Sequence, residues 1–427
     1  MTWDVERTHH ASRFTILRKG ALTLNLTTIP MSFADTLKQK LTDQAPADKY
    51  VLWVVIALSA VGTVAVYSAI TYLAEVRAGT GPEQFLWRHL VRVAIAFGVM
   101  GVVSLIDYRT LASYSRQGLI GALMLLAAVK IMGLFSAGAD RWLEIGGVGF
   151  QPSDLARVAL VFYIAVLLVK KQEYVKSFGR AFLPILVWVF GTIALIGIDD
   201  LSTSAVLLLA VMLMCFVGRV STLQIGGLGV LGALLGVVLI ATSPHRAARL
   251  EAYLGTDLFD DTSTEYVMDP QGEQYQARQA RIAFAVGGFT GVGPGKSIQR
   301  DFLPAPYNDF IFAIIAEEYG LIGALLLLFG FCVLLFRGYL RIARDAPDPL
   351  GLVLAVGLTT LIVTYGFVHA AVSCGLLPVT GLPMPFVSYG GTSMVANGIM
   401  VGVLLNISRQ SKTRTPDEVR RNHENFV

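Results

Sequence analysis

Long apolar blocks joined by short polar stretches dominate the pattern of this chain, over roughly residues 51–71, 90–106, 117–135, 155–170, 181–198, 201–218, 222–242, 310–336, 350–372 and 386–407. Wound as an α-helix at about 1.5 Å per residue, about 20 apolar residues match the hydrocarbon thickness of a bilayer. None of the blocks alternates apolar and polar positions as a membrane β-barrel strand must. A bilayer admits little besides helices and closed barrels, so the pattern predicts an all-α polytopic membrane protein with about ten transmembrane helices. One interval breaks the rhythm. Residues 243–308 are polar in the middle and glycine-rich towards the end, which predicts a large loop on one side of the membrane.

Composition strengthens this picture, since 54% of the residues are hydrophobic and 15% charged, whereas soluble domains carry about 25% charged residues. Charge then orients the chain. With the N-terminus in the cytoplasm, the short inner segments collect Arg109, Arg116, Lys170, Lys171, Lys176, Arg180, Arg219, Arg337, Arg341 and Arg344, as the positive-inside rule requires. Three parts follow: a cytoplasmic tail over 1–49, a membrane domain over 50–408 with its extracytoplasmic loop, and a cytoplasmic tail over 409–427. The basic residues of the long loop are compatible with this, because loops beyond about 60 residues translocate largely regardless of charge. Cys215, Cys332 and Cys374 sit apart in or near apolar sequence and read as small core residues. The six histidines have no zinc-ligand spacing. The first 30 residues lack the apolar run of a signal peptide.

Polar residues inside or beside the apolar blocks are the candidate chemistry. In SAGADRWLEIGGVGFQPSDLAR, residues 136–157, Arg141 and Trp142 suit a membrane interface, the glycines suit a tight turn or small hairpin, and Pro152 with Ser153 opens a helix. Arg157 lies one turn into a spanning helix and three residues from Asp154, so the two either pair or contact substrate. Asp200 is placed to cap the sixth helix. Arg88 and Arg92 share one face of the second helix, where they snorkel or bind an anionic headgroup. GFTGVGPGKS, 288–297, lacks the spacing of a nucleotide P-loop. Its glycines, with Lys296, nevertheless suit an extracytoplasmic phosphate or pyrophosphate. In CGLLPVTGLPMPFVSYGGTSMVANG, 374–398, three prolines interrupt the helix beside Ser388, Tyr389, Thr392 and Ser393. Broken backbone at that depth is tolerated where it is buried in protein or faces a wet cavity. Asp309 stands at the mouth of the eighth helix, with Glu317 and Glu318 further in.

Three of these stretches carry a resemblance. GADRWLEIGGVGFQPSDLAR resembles the GAxRWLxxGxxxxQPSExxK element of the SEDS family of bacterial shape, elongation, division and sporulation proteins. YQARQARIAFAVGGFTGVGPGKSIQRDFLPAPYNDFIFAIIAEEYG is similar to the family's long element ending in HTDFIFAxxxEExG, and GLLPVTGLPMPFVSYGGTS to GxLPxxGxPLPFxSYGG. The matches span about residues 50–408.

The resemblance implies a peptidoglycan glycosyltransferase of the bacterial cytoplasmic membrane. It would polymerise lipid II outside the membrane, with inversion and release of undecaprenyl pyrophosphate. It would work with a class B penicillin-binding protein, a transpeptidase, and with other division membrane proteins. The family's essential aspartate falls on Asp309, which would be the general base. Arg141, Arg246 and Lys296 would meet the pyrophosphate, with Ser297, Gln151, Ser153 and Tyr389 as further substrate contacts. A divalent cation, Mg or Mn, is compatible with that chemistry. Asp154, Arg157, Asp200, Glu317 and Glu318 would be structural or contact substrate. The chain departs from the family at Ala305-Pro306-Tyr307-Asn308 before the aspartate, and at Asp154, Arg157, Ser202 and Ala280. The charged tails favour a division role, with elongation as the second reading. A lipid-precursor flippase and a non-catalytic scaffold, in which Asp309 merely caps a helix, are the rival classes.

Overall fold

The computed structural model describes residues 46–76, 81–135, 143–145, 148–254 and 273–411, all within one compact unit, Gln44–Val427. Arg141, the acidic middle of the long loop and the predicted tails apart from 46–49 and 409–411 lie outside the described residues. The chain runs α1 (Lys49–Val76), α2 (Pro82–Leu105), α3 (Tyr108–Ser113), α4 (Ser115–Phe135), a hairpin of β1 (Leu143–Ile145) and β2 (Val148–Phe150), and α5 (Pro152–Lys170). It continues through α6 (Leu183–Gly197), α7 (Leu201–Val217), α8 (Thr222–Ala241), α9 (Pro244–Leu254) and α10 (Glu273–Gly287), then α11 (Ile311–Arg337), α12 (Pro349–Ser373) and α13 (Thr392–Ser411).

Among the described residues, eight helical spans are long and apolar enough to cross a membrane. The other two predicted blocks are also helical but fall outside that set. α7 has 17 residues, and α13 carries Asn397, Asn406 and Arg409 along its length. The β-hairpin pairs Leu143 with Phe150 and Ile145 with Val148, a small exception in an all-α fold.

α5 and α12 form the centre, each with 78% of its spanning window buried, whereas α8 stands at the edge with 6% buried. Small residues bring backbones together, as expected where lipid supplies no hydrophobic drive between helices. A Cβ at Gly398 of α13 would come 2.6 Å from the Ala96 carbonyl oxygen of α2, and one at Gly402 would come 2.8 Å from that of Met100. At one end of the bundle, Arg337 Nε lies 3.0 Å from Asp48. At the same end Asp348 caps α12 through the Gly351 N–H (2.8 Å) and accepts from Tyr108 (2.8 Å) and Arg109 (2.6 Å). Opposite-charge pairs thus tie the start of α1 to the end of α11 and α3 to the start of α12, where the Asp48 N–H also donates to Ser408 Oγ of α13 at 3.0 Å.

Two boundaries differ from the sequence expectation. α2 begins at Pro82 rather than near 90, because Glu83, Gln84, Arg88 and His89 hide two helical turns from an apolar count. The last helix begins at Thr392 rather than near 386. Pro383 and Pro385 donate no N–H, and Phe386 adopts φ 64°, a conformation rare for a bulky L-residue. Residues 374–391 therefore cross between α12 and α13 as unwound backbone.

Candidate active site

The unwound segment and the residues just before α11 clasp each other. The Tyr389 N–H donates to the Tyr307 carbonyl at 2.9 Å, and the Ser388 hydroxyl donates to the Asn308 carbonyl at 2.8 Å. Ser388 Oγ also accepts from the Met384 N–H at 2.8 Å, closing the turn that contains Phe386. On the other side, His369 Nδ1 of α12 lies 2.7 Å from the Leu382 carbonyl oxygen. Asp309 is half-buried beside this clasp. A Cβ built on Gly381 would lie 3.9 Å from Asp309 Oδ2, an ordinary contact distance, so this turn packs beside the carboxylate, and its φ of 68° is what favours glycine. The N-cap of α11 is Phe310, which makes no side-chain cap bond, so Asp309 precedes the cap rather than forming it.

Aromatic rings line the same place. Tyr307 meets Tyr389 edge-on at 5.4 Å between centroids, and His89 of α2 stacks on Tyr389 at 5.5 Å. The Arg92 guanidinium lies 4.5 Å over the Tyr389 ring. Burial pushes the Tyr307 phenol above its ordinary pKa, and Tyr389 and Asp309 add to the rise. The depth of the site follows from Val387. A Cβ at Gly62, thirteen residues after Lys49 and fourteen before Val76, would come 2.6 Å from Val387 Cα, so the segment reaches the middle of α1.

The glycine-rich stretch is placed differently from the phosphate cradle its composition suggested. Gly320 (φ 67°, ψ −167°) interrupts α11, and residues 287–293 fill the gap. The Val292 and Gly293 N–H groups donate to the Glu317 and Glu318 carbonyls, and Leu321 N–H donates to the Gly288 carbonyl. A Cβ at Gly291 would come 2.1 Å from the Glu318 carbonyl oxygen. These N–H groups are spent inside the protein. Ser297 is buried and donates to Glu317 Oε2, which with Oε1 also accepts from the Gln299 N–H, while Ile298 N–H donates to Oε1 at 3.0 Å. Glu318 accepts from Ser68 of α1, whose carbonyl takes a 3.1 Å bond from Arg300. Lys296 is exposed.

A second buried polar chain braces the same segment. Thr392 donates to Asp154 Oδ2 at 2.8 Å and accepts from the Gln151 N–H at 3.2 Å. Asp154 Oδ1 lies 3.0 Å from Arg157 Nη2, an ionic contact off hydrogen-bond alignment. The Arg157 guanidinium stacks 4.3 Å over Tyr365, whose hydroxyl donates to Thr203. Asp200 caps α7 through the Thr203 N–H (2.9 Å) and accepts from its hydroxyl (2.8 Å). Ser153 is buried at the start of α5 and Gln151 is half-buried. Arg246 of α9 reaches the Leu239 carbonyl at 3.0 Å and the Ile198 carbonyl, near the C-terminal ends of α8 and α6. Cations suit helix C-termini. Among the described residues no group of three or more His, Cys, Asp or Glu is arranged to hold a metal ion, so no step is derived through one.

The structure thus gathers Asp309, Tyr389, Tyr307 and Arg92, keeps Gln151 and Asp154 adjacent through Thr392, and turns Ser297 and Glu317 towards each other. His89 and His369 were missed as parts of the site. Each lies far in sequence from its partner, and no spacing signals a ring that meets Tyr389 or a carbonyl of residue 382.

A bundle of apolar helices folded around unwound, hydrogen-bonded backbone is a polytopic membrane protein with a polar site inside its span. The profile of the FtsW, RodA and SpoVE family, described as cell cycle proteins, matches residues 49–413, and the chain belongs to that family, the SEDS family. A probable peptidoglycan glycosyltransferase FtsW of Geobacter sulfurreducens is 38% identical over 370 residues, covering 86% of this chain and 96% of that protein. Stage V sporulation protein E of Bacillus subtilis is 35% identical, covering 87% and 99%. Among solved structures, a chain from a peptidoglycan synthase complex aligns with TM-score 0.68 at 24% identity, over 86% of this chain and 99% of that one. The rod shape determining protein RodA of Thermus thermophilus aligns with TM-score 0.60 at 24% identity, over 85% and 97%. These two share the fold.

Proposed function

We propose that this protein is an inverting peptidoglycan glycosyltransferase that polymerises lipid II, with Asp309 as general base. The reading includes ten membrane crossings, both termini in the cytoplasm and the Asp309 end facing outward, as the basic residues of the short loops favour. Asp309 accepts the proton of the acceptor sugar hydroxyl while that oxygen bonds to the donor's anomeric carbon. The bond from that carbon to the lipid pyrophosphate breaks, and the pyrophosphate leaves with the electron pair. Attack opposite the leaving group turns an α-linked donor into a β-linked glycan.

The observation that carries this reading is the seat of Asp309. It precedes the helix cap and faces Gly381 on a backbone clasp that two hydrogen bonds hold rigid. Rigidity of that kind suits a base that must meet a substrate proton within hydrogen-bond reach. The FtsW-named relatives favour synthesis of the division septum, with a class B penicillin-binding protein as membrane partner. The test is reconstitution of the full chain with its cognate transpeptidase and labelled lipid II. Wild type is expected to yield glycan polymer and Asp309→Asn almost none. Equal polymer from both removes Asp309 from catalysis, and lipid translocation without polymer in either assigns transport instead.

A further inference from the structure

Arg92 is costly where it stands. It lies ten residues after Pro82, the first residue of α2, about 15 Å along the helix axis. The window Glu83–Leu105 around it is a spanning segment. An arginine at such depth normally pairs with a carboxylate or lines a polar pathway. Among the described residues Arg92 has no carboxylate partner, and its guanidinium contacts the face of Tyr389. A tyrosine face offsets part of the desolvation of a guanidinium and fixes its direction, but it leaves the charge and the planar fork of N–H donors unspent.

Tyr389 is the residue whose N–H is bonded to the Tyr307 carbonyl, two positions before Asp309. Arg92 is therefore held at the level of the candidate base by a short rigid path of guanidinium, ring and backbone hydrogen bond. Among the other cations, Arg141 lies outside the described residues, and four more are engaged or placed elsewhere. Arg246 is bonded to the carbonyls of Leu239 and Ile198, Arg157 faces Asp154, and Lys130 lies 2.6 Å from Asp199. Lys296 is exposed on the stretch that follows the α11 splice.

We propose that Arg92, seated on Tyr389, binds a phosphate of the lipid-linked donor and takes up the charge that develops on its pyrophosphate. The inference rests on the glycosyltransferase reading. A hydroxyl deprotonated by Asp309 attacks the carbon that carries the pyrophosphate, so the leaving group must lie near the level of Asp309. A fixed cation at that level acts where charge appears in the transition state. Bidentate contact with phosphate oxygens suits arginine better than lysine.

Binding without turnover tests the site. The full chain in detergent micelles is titrated with farnesyl pyrophosphate, farnesyl monophosphate and phosphatidylglycerol. Wild type is expected to prefer the pyrophosphate. Arg92→Gln is expected to weaken that binding about 10- to 100-fold, and Arg92→Lys to restore part of it. Unchanged pyrophosphate affinity in Arg92→Gln overturns the proposal. So does equal competition by phosphatidylglycerol with parallel loss in the variant, which would make this a general headgroup site. Arg92→Lys keeps the cation, so its melting temperature and partial affinity separate lost binding from lost folding. The two readings fail separately. Arg92-dependent binding without polymer refutes the enzyme and leaves the site, and polymer with Arg92-independent binding does the reverse.

Discussion

Beside Asp309, the Tyr307 phenol resists ionisation, chiefly because burial penalises the phenolate, with Tyr389 and then Asp309 adding to the rise. Its pKa is raised, so the neutral phenol persists to higher pH than an ordinary tyrosine, whose value is about 10. Tyr307→Phe is therefore expected to leave the alkaline limb of a pH–rate profile where it is in wild type. Its rate is expected to fall less than about tenfold, whereas Asp309→Asn loses a factor of about 10²–10⁴. At this scale the sequence was most legible where a residue carries charge. Asp154 with Arg157 and the Asp200 cap follow from spacing and type, whereas Asp309 stood out through the family resemblance. Arg92 was visible as a cation, but its ring partner was not, since Tyr389 lies nearly 300 positions away.

Along α11, the splice at Gly320 makes one element out of a helix and a loop. A side chain at Gly320 would push into the Phe289 carbonyl (2.4 Å) and the Gly291 N (2.5 Å) while holding an unfavourable φ. Gly320→Ala is expected to cost about 3 kcal/mol or more, measurable as a lowered melting temperature in detergent. Arg157→Leu strands the buried Asp154 and is expected to cost about 3–5 kcal/mol. Adding Asp154→Asn is expected to recover part of that loss in a double-mutant cycle. The glycine stretch is where composition misled. Clustered glycines permit both an anion cradle and close backbone packing, and only the partner, here the opened turn of α11, separates the two. The prolines of 374–391 did announce unwound backbone. Its clasp with 307–308 depends on two segments meeting across about 80 positions, which no local pattern encodes.

The ends of the whole molecule differ in construction. One is fastened by Arg337 with Asp48 and by Asp348 with Arg109 and Tyr108, and the other opens into the unwound segment, whose clasp lies deeper, near the midpoint of α1. Cys374 is exposed at the second end, where α12 stops. In the proposed orientation, a membrane-impermeant maleimide added outside intact spheroplasts labels Cys374 in a chain whose other two cysteines are serine. Labelling only after lysis reverses the topology. The apolar blocks made the all-α membrane class and the places of the long helices readable from the chain, eight of them meeting the length and hydropathy of a membrane span among the described residues, but the depth of the site was not. That depth has a physical consequence. Val387 meets α1 at its midpoint, so the clasp is fixed relative to the protein's own length while the height of lipid headgroups above it varies with acyl chains. If the proposed lipid II reaction takes place here, bilayer thickness becomes one of its variables, because a lipid-borne sugar would have to descend further in thicker membranes. Turnover measured in liposomes of lengthening acyl chain is expected to fall as the headgroups rise away from the clasp.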